Sequence, residues 1–169
     1  MRFWRSGDTI LMPTIVPASE TDIADIHALI RALAEYERLS HQLVSTEADI
    51  RTALFGPRPF AEVILAKSDQ QTIGFALFFH NYSTFLGRPG IYLEDLFVLP
   101  EHRGEGTGRA LLAALARIAV QRKCARLEWS VLDWNDTAIG FYKRMGADVM
   151  DDWRMCRLTG AALADAAAI

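Results

Sequence analysis

Hydrophobic positions along the chain recur with two different periods, and the switch between them marks out the elements. Residues 13–17 predict a short first strand. Ile23, Ile26, Ile30, Leu33 and Ala34 then fall three or four apart, the spacing of one helix face, with Ser19 or Thr21 placed to cap it. Thr46, followed three residues later by Asp49, opens a second and shorter helix that Gly56-Pro57 ends. Residues 60–67 and 72–80 predict two strands joined by a turn at Ser68-Asp69-Gln70-Gln71. Asn81 to Gly90 is rich in Gly, Pro and small polar residues and predicts a loop. Residues 91–98 are apolar almost throughout, interrupted by Glu94-Asp95, and predict a strand covered on both faces. From about 107 to 122 a helix carries Leu111, Leu112, Leu115, Ile118 and Ala119 in one stripe, with Arg117, Gln121 and Arg122 outside it. A strand at 126–132, a helix from Asn135 to Met145 stopped by Gly146, and a strand at 153–158 complete the order β-α-α-β-β-β-α-β-α-β. The fold class this predicts is α/β, a mixed sheet covered by helices.

Length and composition narrow the function. A chain of 169 residues supports one domain with a real core, here expected over 13–160, with 1–12 as a loose extension and 161–169 as a tail. Met12 would serve equally well as a start. A net charge of −3 and a pI near 5.8 argue against a nucleic-acid partner, which would call for a basic stripe. No apolar run reaches the length of a membrane span, and Met1-Arg2-Phe3-Trp4-Arg5 lacks the apolar core of a secretory signal. Cys124 and Cys156 stand far apart with no CxxC partner and read as reduced thiols, the pattern of a cytoplasmic protein. The four histidines show no metal-ligand spacing, so no metal is expected.

The chemistry concentrates at Arg103-Gly104-Glu105-Gly106-Thr107-Gly108-Arg109, where an apolar strand runs through a glycine-rich turn into the longest predicted helix. A helix N-terminus gathers unpaired N–H groups and the positive end of the macrodipole. Glycines let those groups approach an anion closely, most naturally a pyrophosphate. A Walker A loop would end in Gly-Lys-Ser/Thr, whereas Gly108 is followed by Arg109-Ala110. A dinucleotide fingerprint needs G-x-G-x-x-G, and Arg109 takes the place of its third glycine, although Glu128 lies at a suitable distance for a ribose contact. The pattern Arg/Gln-x-x-Gly-x-Gly/Ala is fitted in full.

That last pattern, with Tyr82-Ser83-Thr84-Phe85, Tyr92-Leu93-Glu94-Asp95, Val131-Leu132-Asp133-Trp134-Asn135 and Phe141-Tyr142-Lys143-Arg144 in order, resembles the GNAT N-acetyltransferases, in their diamine (spermidine/spermine) and thialysine branch, over roughly 13–160. The resemblance implies a central, mostly antiparallel mixed sheet flanked by helices, and acetyl-CoA as cofactor. It implies that the turn, Arg103, Gly104, Glu105, Gly106, Thr107, Gly108 and Arg109, takes the pyrophosphate. The strand backbone at Leu96, Phe97 and Val98 would take the pantetheine arm, with Asn135, Ala138 and Tyr142 as further cofactor contacts. Asn135 reads equally as a helix cap, and Met145 stands where relatives often carry a basic residue near the cofactor's phosphate.

An amine must lose its proton before it attacks a thioester. A lysine-like amine, with a pKa of about 10.4, costs roughly 4.6 kcal/mol to neutralise near pH 7. An acidic pocket adds to that cost by favouring the ammonium. Glu94 is therefore the expected base, acting through a water, because a Glu-Asp pair inside an apolar strand is costly without a task. Tyr142 is the expected acid for the departing thiolate; it follows Asn135 by seven residues, two helical turns, and so shares its face. A backbone N–H of residues 96–98 would donate to the acetyl oxygen as charge develops there. The acceptor side implied by the resemblance comprises Tyr36, Glu37, Glu94, Asp95, Glu128, Trp129, Ser130 and Asp151, with Trp129 reading equally as core filling. Ser83 and Phe85 replace an Asp and a Trp of some polyamine enzymes, which favours a thialysine-type acceptor over a long polycation. The expectation is a homodimeric N-acetyltransferase acting on a small cationic amine, with no nucleic-acid or membrane partner. The alternatives are an acyl-CoA-binding module without catalysis and an acetyltransferase for protein N-termini or lysines.

Overall fold

Local capping chemistry sets the first elements of the computed structural model, which describes residues 12–169. Strand β1 (Thr14–Pro17) leads into a single 3-10 turn, Glu20–Asp22, and then helix α1 (Ile23–Tyr36). Ser19 caps the 3-10 turn rather than α1 itself: its backbone N–H and Oγ donate to Asp22 Oδ2 at 2.8 and 2.7 Å. Helix α2 (Glu47–Phe55) starts as expected, with Thr46 and Asp49 bonded reciprocally, and gives way at Gly56. The expected N-terminal extension lies, up to residue 11, outside the described residues.

Strands β2 (Glu62–Ser68), β3 (Gln71–Ser83) and β4 (Arg88–Val98) follow β1 as an antiparallel meander. Helix α3 (Thr107–Gln121) makes the crossover to β5 (Leu127–Trp129), which lies parallel to β4. The sheet order β1-β2-β3-β4-β5 is mixed and mostly antiparallel, as expected. On one face Ile23, Ile26 and Leu29 of α1 and Ile50 and Leu54 of α2 pack on Val63, Leu65, Phe75 and Phe97. The stripe of α3 is buried at Leu111, Leu112, Leu115 and Ala119, as its period predicts, with Ala114 beside them. Each such buried aliphatic side chain contributes about 1.5–3 kcal/mol, so both faces of β4 are strongly held.

Three expectations are corrected here. Residues 81–90 are not a loop: Asn81, Tyr82 and Ser83 pair with Gly90, Pro89 and Arg88, leaving a turn of residues 84–87. Gly90 belongs to the strand because a Cβ there would run into the side-chain oxygen of Asn81. The strand expected at 126–132 is confined to Leu127–Trp129. Residues 153–158 form no strand; the unit that holds them contains only helices α4 (Asp136–Arg144) and α5 (Gly160–Ala167) as regular elements, and a lone strand has nothing to pair with. That unit, Val131–Ile169, is distinct from the sheet unit that ends at Ser130. Helix α5 occupies the expected tail. Among the described residues, no helix is long and apolar enough to cross a membrane.

Candidate active site

Strand β4 carries a fault that decides where its charges go. Leu77 pairs with Asp95 but Phe78 pairs with Leu93, so Glu94 has no residue opposite it. Such a bulge re-phases the strand. Leu93 lies opposite Phe78, whereas Phe97 lies opposite Phe75 and joins the cluster beneath α1 and α2. With the alternation unbroken, Asp95 would lie on the face of Leu93 and Phe78. Instead Glu94 is exposed, and Asp95 is half-buried on the face of Leu77 and Phe97.

Burial, and then the neighbouring charges of Glu94 and Glu37, push the Asp95 carboxyl up to about 7. Burial also raises Glu37, the residue just past the end of α1. Three carboxylates thus feel one another at the bulge, and Asp95 titrates where a group that trades protons with water near neutrality should. The sequence points to Glu94 as base and to Asp95 as an acceptor contact; the bulge between them is what it does not show.

Beyond the bulge β4 changes character. Strand β5 accompanies it only across Ile91–Leu93, so residues 94–98 have no strand partner on that side among the described residues. Leu96, Phe97 and Val98 pair on their other side with Ala76, Phe75 and Gly74. The chain then passes through Pro100–His102 into the glycine turn. Gly104 and Gly106 adopt φ of +82° and +91°; nothing crowds a Cβ at Gly104, so the backbone angle is what demands glycine there. The first intrahelical bond of α3 runs from Ala110 N–H to Gly106 O, so among the described residues the N–H groups of Thr107, Gly108 and Arg109 have no backbone acceptor. Thr107 is 2% exposed, and its Oγ1 is buried without a hydrogen-bond partner. An orphaned hydroxyl beside three unspent N–H groups at a helix N-terminus fits a phosphate-bearing ligand. Glu105 and Arg109 are exposed on the turn, and Glu105 lies 3.7 Å from His102 Nδ1.

On β5, Glu128 is already engaged: Asn81 Nδ2 donates to it at 2.7 Å, and Arg126 Nε lies 2.8 Å from the same oxygen. Tyr92 and Ser130 share a hydrogen bond of 2.8 Å between their hydroxyls, and Trp129 is half-buried opposite Leu93. Tyr36 is 37% exposed at the end of α1. The sheet unit thus holds Tyr36, Glu37, Glu94, Asp95, Leu96 to Val98, the whole turn, and Glu128 to Ser130.

The unit from Val131 carries the remaining expected residues. Asn135 caps α4, its Oδ1 accepting from Ala138 N–H at 3.1 Å. Tyr142 is half-buried two turns later, its ring 5.2 Å from that of Phe141. Asp151 is exposed in a turn.

Comparison with known proteins gives this arrangement a context. Residues 26–147 match the acetyltransferase (GNAT) family. The chain is 36% identical to the L-ornithine N5-acetyltransferase of Arabidopsis thaliana, over 86% of this chain and 84% of that protein. It is 38% identical to the thialysine N-epsilon-acetyltransferase of Mus musculus, over 89% of this chain and 94% of that protein. Among solved structures, an integron cassette protein from the mobile metagenome of V. cholerae superposes with a TM-score of 0.79 at 27% identity, over 93% of this chain and 98% of that one.

Proposed function

We propose that this chain, which belongs to the acetyltransferase (GNAT) family, moves an acetyl group from acetyl-CoA to the primary amine of a small cationic acceptor of the thialysine or ornithine type. One observation carries the reading: within a single unit, a turn of unspent N–H groups follows directly on a strand whose bulge presents Glu94 and Asp95.

Acetyl-CoA supplies the activated acetyl thioester. The N–H groups of Thr107, Gly108 and Arg109 hold its diphosphate, and the backbone of Leu96 to Val98, on the side away from β3, holds its pantetheine arm. The resemblance assigns Asn135 and Ala138 to the cofactor as well. Glu37, Glu94 and Asp95 gather the acceptor's positive charge, with Tyr36 beside them; Glu128 contributes less because Arg126 already offsets it. Glu94 takes the ammonium proton through a water. The freed amine forms the new N–C bond as the C–S bond breaks. A backbone N–H of residues 96–98 donates to the acetyl oxygen, Tyr142 gives its proton to the departing thiolate, and the surplus proton on the new amide nitrogen passes through water to restore the Tyr142 phenol.

A short acceptor is favoured over a polyamine. The hairpin tip offers no carboxylate: Ser83 is 4% exposed, with its Oγ accepting from Leu86 N–H at 3.2 Å, and Phe85 is exposed. That apolar tip, with Tyr82 and Leu86 also exposed, supports a homodimer that covers it. The test is thiol release over thialysine, ornithine, lysine, putrescine and spermidine. Turnover of the amino acids well above spermidine is expected. Tight acetyl-CoA binding with no amine consumed would make this a binding module instead.

A further inference from the structure

The motif assigns Arg103 to the cofactor's phosphates, yet its side chain is committed elsewhere. Its Nε–H donates to the Val98 carbonyl oxygen at 2.9 Å. Its guanidinium carbon lies 4.4 Å from the centre of the Tyr36 ring and 5.2 Å from that of Phe97. Those two rings lie 6.4 Å apart, tilted by 56°. One side chain therefore touches three elements: the last residue of α1, the end of β4, and the turn it belongs to.

We infer that Arg103 is a positioning residue that clasps Tyr36 to the end of β4, so that ordering of the glycine turn by coenzyme A also fixes Tyr36–Glu37 on the acceptor side. Gly104 and Gly106 give the turn freedom and no anchor of their own. A ligand gripping their backbone rigidifies the turn, and rigidity passes to whatever the turn holds. Arg103 holds the end of α1. The coupling is reciprocal, so the amine also tightens the cofactor. Only a planar guanidinium stacks on a ring while donating an Nε–H sideways, which Lys does not reproduce.

The amine arm of this inference rests on the proposed function; its structural arm does not. The test is hydrogen exchange over residues 33–39 of the full chain, with and without coenzyme A, in the native protein and in Arg103→Leu. Amides there bond within the chain, among them Glu37 N–H to Leu33 O, Arg38 N–H to Glu35 O and Leu39 N–H to Ala34 O. Coenzyme A is expected to slow their exchange in the native protein and not in Arg103→Leu. The ionic-strength dependence of coenzyme A binding should be the same in both, because no ion pair to phosphate is lost. The amine KM should rise roughly fivefold, with kcat changing less than twofold, and Arg103→Lys should behave like Arg103→Leu. Tyr36→Leu breaks the same clasp from the α1 side, so its effect on KM should not add to that of Arg103→Leu; it also keeps the test open should the Arg103 variants fold poorly. Equal protection in both proteins, a weaker salt dependence in Arg103→Leu, or full additivity would each overturn the inference. If no amine is acetylated but the protection still depends on Arg103, the proposed function falls and the clasp stands. If amines turn over but protection is equal in both proteins, the clasp falls and the proposed function stands.

Discussion

Two aspartates in the same sheet unit lead opposite lives. Asp22, 8% exposed, receives hydrogen bonds from Ser19 and from Lys67 Nζ at 2.6 Å. Burial alone would raise its pKa, but the Lys67 and Ser19 contacts outweigh that and hold it at about 2. Asp95 is half-buried too, but its charged neighbours are Glu94 and Glu37, and it rises to about 7. The contrast separates a carboxylate that stabilises the fold from one whose ionisation the fold tolerates for another reason. A carboxylate with no cation against it among the described residues, beside two more, is what a site awaiting a cationic ligand provides.

The sharpest break in this comparison is chemical. Glu94→Gln should lower kcat about 100-fold or more, while acetyl-CoA affinity and thermal stability stay near native values, as measured by steady-state kinetics, calorimetry and melting. Lys67→Met should do the reverse, costing roughly 2–3 kcal/mol of stability by stranding Asp22, with turnover per folded molecule unchanged. The sign at Asp22 follows from its depressed pKa: its contribution is full above about 4 and fades as pH falls toward 2, so the native and Lys67→Met melting curves should converge in acid.

Asp95 has the opposite sign. With a folded-state pKa raised to about 7, its ionisation penalty grows from about pH 4 to pH 7 and is level above that. Asp95→Asn should therefore gain stability on the order of 2 kcal/mol at pH 8 and little at pH 4, while weakening capture of the amine. A smaller effect sharpens the same point: Glu37→Gln removes one neighbouring negative charge, so the Asp95 carboxyl should titrate at lower pH, read by NMR. Away from both aspartates, Phe85→Ser at the hairpin tip should shift any dimer toward monomer in light scattering without changing turnover per chain.

What the sequence makes readable divides along physical lines. Interactions local in the chain are readable: the Thr46–Asp49 cap, the α3 stripe and the Asn135 cap all stand where periodicity and capping rules put them. Interactions decided across strands are not. Gly90 and Pro89 look like chain breakers until Asn81 is known to lie opposite Gly90 and to leave no room for a side chain. Residues 153–158 suggest a strand when read alone, yet a strand needs an edge to join. Glu94-Asp95 is recognisable as chemistry without the bulge that separates the two carboxylates into an exposed and a half-buried one. For Arg103 a motif records identity and spacing but says nothing of where a guanidinium lies.

The abrupt end of β5 at Trp129, opposite Leu93, carries one more consequence. A strand that leaves a run of main-chain donors and acceptors unclaimed will accept any extended polymer, including a stretch of another unfolding molecule. A ligand held along residues 94–98, as proposed for the cofactor's pantetheine arm, would shield them. Storage with the thiol cofactor should then suppress clumping in proportion to its occupancy, since a ligand that prefers the native form draws population toward it by mass action. Substrate supply and shelf life would be governed by the same few main-chain groups.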